Sequence, residues 1–273
     1  MRKKSFKRLL IDIFVWAFVI LALLPVYWIV STSIKPEEMA TRMPPVLLFV
    51  PTLKTYLNIF IEKNFLSFLM NSIIVSFFTL LISILFGTLA AYAIARNRSG
   101  GRFLTFSILV VQMIPPMAIS FPLFIFIQSI GLIDTRSGLV LAELSFTLPF
   151  IIWIMRQFFL QVPIEIEESA KIDGASIWRI FFYIMLPVSM PGLISAGIFT
   201  FFNSWNEFLY PLVLTMSRAQ TATIASANYI TTYDILWTHI NAASTILMIP
   251  PIVLTIFLRK YIVSGLVGES VKG

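Results

Sequence analysis

The sequence predicts an all-α integral membrane protein with about six transmembrane helices, on three observations. Of its 273 residues, 58% are hydrophobic and only 12% are charged, with a mean hydropathy of +0.91. Soluble proteins carry about 25% charged residues, and a soluble chain of this composition would expose large apolar patches. Six segments are apolar over a length near the roughly 20 residues that a helix needs to cross a bilayer. Lys and Arg are unevenly shared between the connections of these segments.

The six predicted spans are residues 11–31, 71–95, 103–127, 138–155, 185–208 and 242–258. The third contains Pro115, Pro116 and Pro122. Proline removes a helical hydrogen bond, and it is tolerated in a span where neighbouring helices or a cavity satisfy the freed backbone groups. We therefore expect the third span to be bent.

The Lys and Arg residues predict the orientation. With a cytoplasmic N-terminus, fourteen of the 20 lie on inside connections and six outside, and such an excess marks the cytoplasmic side. This predicts a multi-pass protein of the inner or plasma membrane with both termini cytoplasmic, a basic N-terminal segment (residues 1–10) and a transmembrane domain (residues 11–273). The net charge of +7 is then a topology signal, so lipid is an expected partner and nucleic acid is not.

The basic start could also open a cleaved signal peptide. The length of the first apolar run, Tyr27 and Trp28 near its end, and the lack of a convincing small-x-small cleavage site favour an uncleaved helix.

One inside connection, residues 157–184, is unusually acidic: of the 13 acids in the chain it holds Glu165, Glu167, Glu168 and Asp173. Pro163 suits the first turn of a helix, where the helix dipole favours acids. Gly174 can adopt the left-handed conformation that ends a helix, and Ser176 can cap a second one. The connection is therefore predicted to form two helices joined at a glycine. The simpler alternative is that the acids only keep a cytoplasmic loop solvated.

The stretch "EESAKIDGASIWRIFFYIMLPVSMPGL" resembles the EAA loop of permease subunits of ABC importers. The positions that carry the pattern are Glu168, Ser169, Ala170, Asp173, Gly174, Ala175, Leu186, Pro187 and Pro191. The one departure is Ser169 in place of the first alanine, a small-for-small change. Because the pattern spans nearly thirty residues, it is far more specific than a three-residue match.

Other segments resemble the carbohydrate branch of these binding-protein-dependent inner membrane components, and are similar to the smaller membrane subunit of the maltose transporter. They include "LLPVYWIVSTSIKP", "FFNSWNEFLYPLVL" and, more weakly, the tail "RKYIVSGLVGESVKG", where Glu269 and Ser270 depart from the pattern. The resemblance runs from about Leu24 to Gly273.

This resemblance implies a type I ABC importer permease fold with a cytoplasmic coupling-helix loop at about residues 163–183. The loop would place a short helix in a groove of a separate ATPase. Glu168 would be its polar anchor, and Gly174 would set the angle between its two helices. Trp178 and Phe182 would supply apolar contact, or would pack on this chain's own helices. The chain has no G-x-x-x-x-G-K-[ST] phosphate loop, so no cofactor is expected in it, and ATP and Mg are expected on the ATPase.

The resemblance also implies the partners and the activity. The partners are a second, homologous permease subunit in a heterodimer, two cytoplasmic ATPase subunits, and an extracytoplasmic sugar-binding protein. The outside connections, residues 36–68 and 215–241, are the expected meeting points with the binding protein. The implied activity is ATP-driven sugar import by alternating access, carried by a transport subunit that is not itself an enzyme.

Polar residues within the spans are candidates for the substrate pathway, because polar groups are costly in lipid. The candidates are Glu143, Asn203, Trp205, Asn206 and Glu207. Glu143 is a lone acid in "VLAELSF", and the Trp205 ring could stack on a sugar whose hydroxyls bond the next two residues. Each polar residue could instead make interhelical hydrogen bonds, and the tryptophan could simply lie at the headgroups.

Three other function classes fit less well. A secondary transporter driven by an ion gradient would need an intramembrane chain of acids. Glu143 and Glu207 alone are too few to form a convincing relay of this kind. An intramembrane enzyme would need a catalytic set or a metal site, but the chain has one histidine, His239, and no cysteine. The third class is a non-transporting scaffold that recruits an ATPase, and a transport assay would distinguish it from a transporter.

Overall fold

The structure, a computed structural model, describes residues 2–61, 63–96, 101–231 and 234–267. Within this part of the chain the fold is helical, and β-structure is limited to a bridge between Ile230 and Ile235. A π-helical turn spans Phe181–Met185. The end of the predicted tail, residues 268–273, lies outside the described residues. The helices are α1 (Arg2–Ser33), α2 (Glu37–Ala40), α3 (Lys54–Ile61), α4 (Phe65–Arg96), α5 (Gly101–Met113), α6 (Pro116–Ser129), α7 (Arg136–Gln161), α8 (Ile164–Ile172), α9 (Ile177–Ile180), α10 (Leu186–Val188), α11 (Met190–Trp205), α12 (Leu209–Leu214), α13 (Ala222–Ala227) and α14 (Trp237–Val267).

Four described helices, α1, α4, α7 and α14, are each long and apolar enough to cross a membrane. Two further spans are bent pairs: α5 with α6, at 96°, and the segment Ile177–Val188 with α11, at 76°. With each pair taken as one span, the described residues contain the six spans that the sequence predicts.

The two bent pairs differ in how well they were predicted. The bend of the third span at Pro115 and Pro116 is confirmed, since α5 ends before them and α6 begins at the second. The fifth span was expected to be continuous from Met185, but the chain breaks at Ser189. Pro191 explains this break, because it has no N–H to donate to the carbonyl of Pro187 four residues earlier.

The described residues form two compact units, drawn from Met1–Leu66 with Ala225–Ile249 (unit 1) and from Ser67–Ile224 with Pro250–Gly273 (unit 2). In unit 2, α4 and α7 approach so closely at Gly87 that an added Cβ would lie 2.6 Å from Cγ2 of Ile151. Further along the same pair of helices, Tyr92, Phe159 and Phe181 form an aromatic cluster with ring centroids 5.3–6.2 Å apart. Buried apolar side chains surround this cluster and form the core of the unit.

In unit 1, short polar contacts hold the connection after α1. The Ser33 and Tyr56 hydroxyls are 2.8 Å apart, and the Thr52 N–H donates to the carbonyl of Ile34 at 2.8 Å. The connection therefore has a defined structure rather than being a loose link between α1 and α3.

Asp134 fastens the segment after α12 within unit 2. Its carboxylate accepts the backbone N–H groups of Met216, Ser217, Arg218 and Ala219 at 3.0–3.2 Å. Partial burial alone raises the pKa of Asp134, but these four donors together outweigh it and lower the pKa from 3.8 to about 2.

We expect this contact to add stability that depends on pH. Because the folded pKa of Asp134 lies below its unfolded value, the contribution is fully present above 3.8 and is lost as the pH falls through about 2. Asp134→Asn keeps the shape but removes the charge, so its unfolding midpoint in detergent should be lower at neutral pH and less sensitive to acid. The matched control is Asp234→Asn, since that exposed carboxylate accepts the N–H of its neighbour Ile235. Equal effects of the two substitutions would contradict the prediction.

Candidate functional site

The acidic connection after α7 folds as the sequence predicts. Pro163 precedes α8, whose first turn carries Glu165 and Glu167. Gly174 has a φ of +80°, the left-handed conformation that ends a helix at low cost only for glycine. The Ser176 hydroxyl accepts the N–H of Arg179 at 3.3 Å and caps α9. The connection is therefore two helices joined at a glycine.

Five side chains of this connection are left exposed by the rest of the chain, and together we call them the docking face: Glu168, Ile172, Ile177, Trp178 and Phe182. Ile172 is 86% exposed, and the rings of Trp178 and Phe182 stack at 6.2 Å with both side chains about half exposed. The Phe182 ring also packs edge-on against the buried Phe181, with ring centroids 5.0 Å apart, so Phe182 contacts both Trp178 and the protein's own core. An apolar surface with a carboxylate beside it is left open.

The other predicted residues of the connection divide between surface and core. Ser169, Asp173 and Gly174 are exposed. Ala170 and Ala175 are half-buried and pack against the aromatic core of unit 2. These two alanines therefore contact the protein's own core.

Glu167 is a central residue of this site that the sequence did not single out. Its side chain is buried, at 1% exposed, and accepts the Tyr92 hydroxyl at 2.8 Å and a short hydrogen bond from Nε of Arg96. Nη2 of Arg96 also donates to the carbonyl of Val162 at 3.2 Å. This ion pair joins α8, the last turn of α4 and the residue after α7. Its signal in the sequence is an acid in the apolar row of α8, with Ile164 three residues before and Ala170 three residues after.

A second polar cluster lies among α4, α7 and α11. Oε2 of Glu143 accepts the hydroxyl of Thr79 at 3.1 Å and a short hydrogen bond from Ser204, and Ser204 also contacts the hydroxyl of Ser76 at 3.1 Å. The hydroxyls of Ser83 and Thr147 are 2.9 Å apart. Oε1 of Glu143 is buried and has no hydrogen-bond partner among the described residues.

The α4 members of this cluster were missed, although their spacing is visible. Ser76, Thr79 and Ser83 follow one another at intervals of three and four residues, which places them on one face of a helix. In an otherwise apolar span, such a row predicts hydrogen bonds to another helix.

Three of the predicted pathway residues line one cavity of about 150 Å³: Glu143, Asn203 and Glu207, together with Ser204 and Tyr210. Oε1 of Glu207 accepts the N–H groups of Leu209 and Tyr210 at 2.8 and 3.1 Å, which fixes this carboxylate at the start of α12. The cavity wall thus presents two carboxylates, an amide and hydroxyls, a set that can hydrogen-bond a hydroxylated solute.

The other two predicted pathway residues lie elsewhere. Trp205 is 2% exposed and its ring stacks on Phe201 at 5.6 Å, so its face is covered by the protein itself. Asn206 is exposed and its side chain donates to the carbonyl of Phe202 at 2.8 Å. The structure therefore does not bring Trp205, Asn206 and Glu207 together as the expected sugar platform.

In the part of the chain that the structure describes, no group of three or more His, Cys, Asp or Glu side chains is placed to hold an ion.

Known proteins resemble the chain over almost its whole length. The family described as "binding-protein-dependent transport system inner membrane component" matches residues 83–267. The trehalose transport system permease protein SugB of Mycobacterium tuberculosis is 36% identical over 256 residues, 92% of this chain and 93% of that protein. The trehalose/maltose transport system permease protein MalG of Thermococcus litoralis is 33% identical over 278 residues, covering all of both chains.

A solved structure shares the fold. The crystal structure of a bacterial ABC transporter involved in the import of the acidic polysaccharide alginate contains a chain that aligns with 96% of this one and 98% of its own length. The TM-score is 0.79 at 23% sequence identity.

These matches confirm the expected class of protein: a multi-pass inner-membrane transport subunit rather than an enzyme. The family match covers well over half of the chain and includes the loop that resembles the EAA loop. The chain belongs to the binding-protein-dependent transport system inner membrane components, the permease subunits of ABC importers.

Proposed function

We propose that this chain is one permease subunit of an ATP-driven importer of a mono- or oligosaccharide. The observation that carries the proposal is the connection between α7 and α9, which offers an open docking face in a chain without a phosphate-binding loop. The sugar class is supported by the relatives named for trehalose and maltose transport.

The proposed assembly contains a second, homologous permease subunit and two cytoplasmic ATPase subunits, which bind ATP and Mg. An extracytoplasmic binding protein delivers the sugar. Both termini are cytoplasmic, because that orientation places fourteen of the 20 Lys and Arg residues inside. The docking face then lies on the cytoplasmic side, and the connections at residues 36–68 and 215–241 lie outside.

Coupling to ATP hydrolysis runs through α8. The docking face sits in a groove of the ATPase, with Glu168 paired to a basic group and the Trp178–Phe182 stack in apolar contact. Closure of the ATPase subunits moves α8 as a body. Glu167 of α8 is hydrogen-bonded to Arg96 and Tyr92, which lie on α4, so this movement is passed directly to α4.

The sugar passes through the polar cavity lined by Glu143, Asn203 and Glu207. Carboxylate and amide oxygens of these side chains accept hydrogen bonds from sugar hydroxyls. Alternating access exposes the cavity to one side of the membrane at a time.

Uptake of labelled trehalose and maltose into proteoliposomes tests the proposal. The reconstituted complex, with binding protein outside and ATP inside, should accumulate sugar only when ATP is present, and ionophores should have no effect. Uptake that continues without ATP and collapses with ionophores would instead identify a secondary transporter. ATPase recruitment without any uptake would identify a scaffold.

In the same assay, we expect Glu143→Gln to reduce sugar uptake about tenfold, because the amide has an NH2 donor in place of one carboxyl oxygen and one hydrogen bond to the sugar is lost. The amide keeps the shape of the side chain, so ATP hydrolysis stimulated by the binding protein should persist, and uptake per ATP should fall. The control is Asn206→Asp, an amide–carboxylate exchange at a nearby residue that does not line the cavity. An unchanged uptake in Glu143→Gln would remove this carboxylate from the pathway.

A further inference from the structure

Unit 1 contains a larger cavity, of about 620 Å³, for which the proposed transport cycle gives no role. The connection after α1, helix α3 and the first turn of α14 form its wall. The polar and charged residues of the wall include Lys35, Glu37, Lys54, Asn58 and His239.

Lys35 is the unusual member of this wall. It is only 3% exposed, and its Nζ lies 4.6 Å from the ring centroid of Trp28 and 5.2 Å from that of Phe49. Among the residues that the structure describes, no carboxylate forms an ion pair with it. Cation–π contacts offset only part of the cost of burying an ammonium group. A buried cation on a cavity wall without a counter-ion indicates that an anion binds there.

The one carboxylate of the wall, Glu37, already contacts other residues of this chain. Glu37 accepts a short hydrogen bond from the Thr238 hydroxyl and lies 3.5 Å from Nδ1 of His239. Nε2 of the same histidine is 3.0 Å from Oδ1 of Asn58. These contacts hold Glu37 at the α14 side of the wall.

The remaining charge on the wall is positive. Lys54 is exposed, and its side chain lines the cavity together with Lys35. Two lysine side chains therefore line a space whose only carboxylate is engaged with Thr238 and His239. This matches a single carboxylate entering from outside the chain.

We propose that the cavity receives an acidic side chain, Asp or Glu, from the extracytoplasmic binding protein, and that Lys35 and Lys54 hold it. The inference rests on the proposed function, which places this connection outside the membrane and requires a binding protein to dock there. A buried charge pair of this kind would fix the orientation of the docked protein over the permease.

The test uses the complete transporter in proteoliposomes with its sugar-loaded binding protein. The measured quantity is the binding-protein concentration that half-maximally stimulates ATP hydrolysis. Lys35→Gln should raise this concentration about tenfold or more, because truncating one partner of a buried charge pair mainly speeds dissociation. The maximal rate should stay unchanged. Lys54→Glu should also raise this concentration. Because Lys54 is exposed, this substitution should leave the fold intact.

The matched control is Lys63→Gln, which removes an exposed lysine from the same connection but away from the cavity wall. It should change the half-maximal concentration less than about twofold. If Lys35→Gln and Lys54→Glu both behave like this control while the wild type is stimulated normally, the cavity site is overturned and the importer assignment stands. A wild type that the binding protein does not stimulate contradicts the importer assignment itself. Uptake of D-glucuronate that is lost in Lys35→Gln, with an unchanged half-maximal concentration, would assign the cavity to a sugar acid and overturn the proposal.

Discussion

Glu167→Lys is expected to abolish sugar uptake and to lower the unfolding midpoint of the chain. The substitution places a second cation beside Arg96 at a site that is 1% exposed. Breaking a buried pair and leaving an uncompensated charge costs about 3–5 kcal/mol, and here the loss would separate α8 from the end of α4. Thermal unfolding in detergent and uptake in proteoliposomes measure the two effects.

The charge-exchange variant Arg96→Glu/Glu167→Arg separates a loss of fold from a loss of coupling. If the ion pair is what joins α8 to α4, the exchange should recover part of both the unfolding midpoint and the uptake that each single substitution loses. The control on the same helix is Glu165→Lys. Because Glu165 is exposed, this substitution should change the free energy of unfolding by less than about 1 kcal/mol. An exchange variant no better than the single variants would show that the pairing itself does not matter.

The local shape of this site could be predicted because local rules determine it. A proline before α8, acids in its first turn, a glycine after it and a serine cap on α9 each act within a few residues. The same holds for the bend at Pro115 and Pro116, which follows from the missing amide hydrogens.

Which acid of α8 turns inward could not be predicted in the same way. Glu167 and Glu168 are neighbours with the same chemistry, and they differ only in what the fold brings beside them. Arg96 and Tyr92 lie about seventy residues earlier in the chain, so their meeting with Glu167 is a tertiary contact. Trp205 illustrates the same limit: its sequence context suggested an open ring, but packing on Phe201 covers it.

Gly174→Pro is expected to remove transport while the chain still inserts in the membrane. Gly174 has a φ of +80°, whereas proline fixes φ near −65° and has no N–H. The substitution therefore also removes the 3.0 Å hydrogen bond from the Gly174 N–H to the carbonyl of Lys171. The angle between α8 and α9 must change, so Glu168 and the Trp178–Phe182 stack would no longer meet the proposed ATPase groove together. Co-purification with the ATPase and ATP hydrolysis stimulated by the binding protein measure the loss.

Gly131→Pro is a close control for this prediction, because Gly131 has nearly the same backbone environment at the end of α6. Its φ is +72°, its N–H donates to the carbonyl of Gln128 at 3.0 Å, and an added Cβ would meet nothing within 4 Å at either glycine. The two substitutions should therefore cost similar unfolding free energy, about 3 kcal/mol, while only Gly174→Pro releases the ATPase. Equal release by both variants would mean that lost stability, and not the angle between α8 and α9, breaks the coupling.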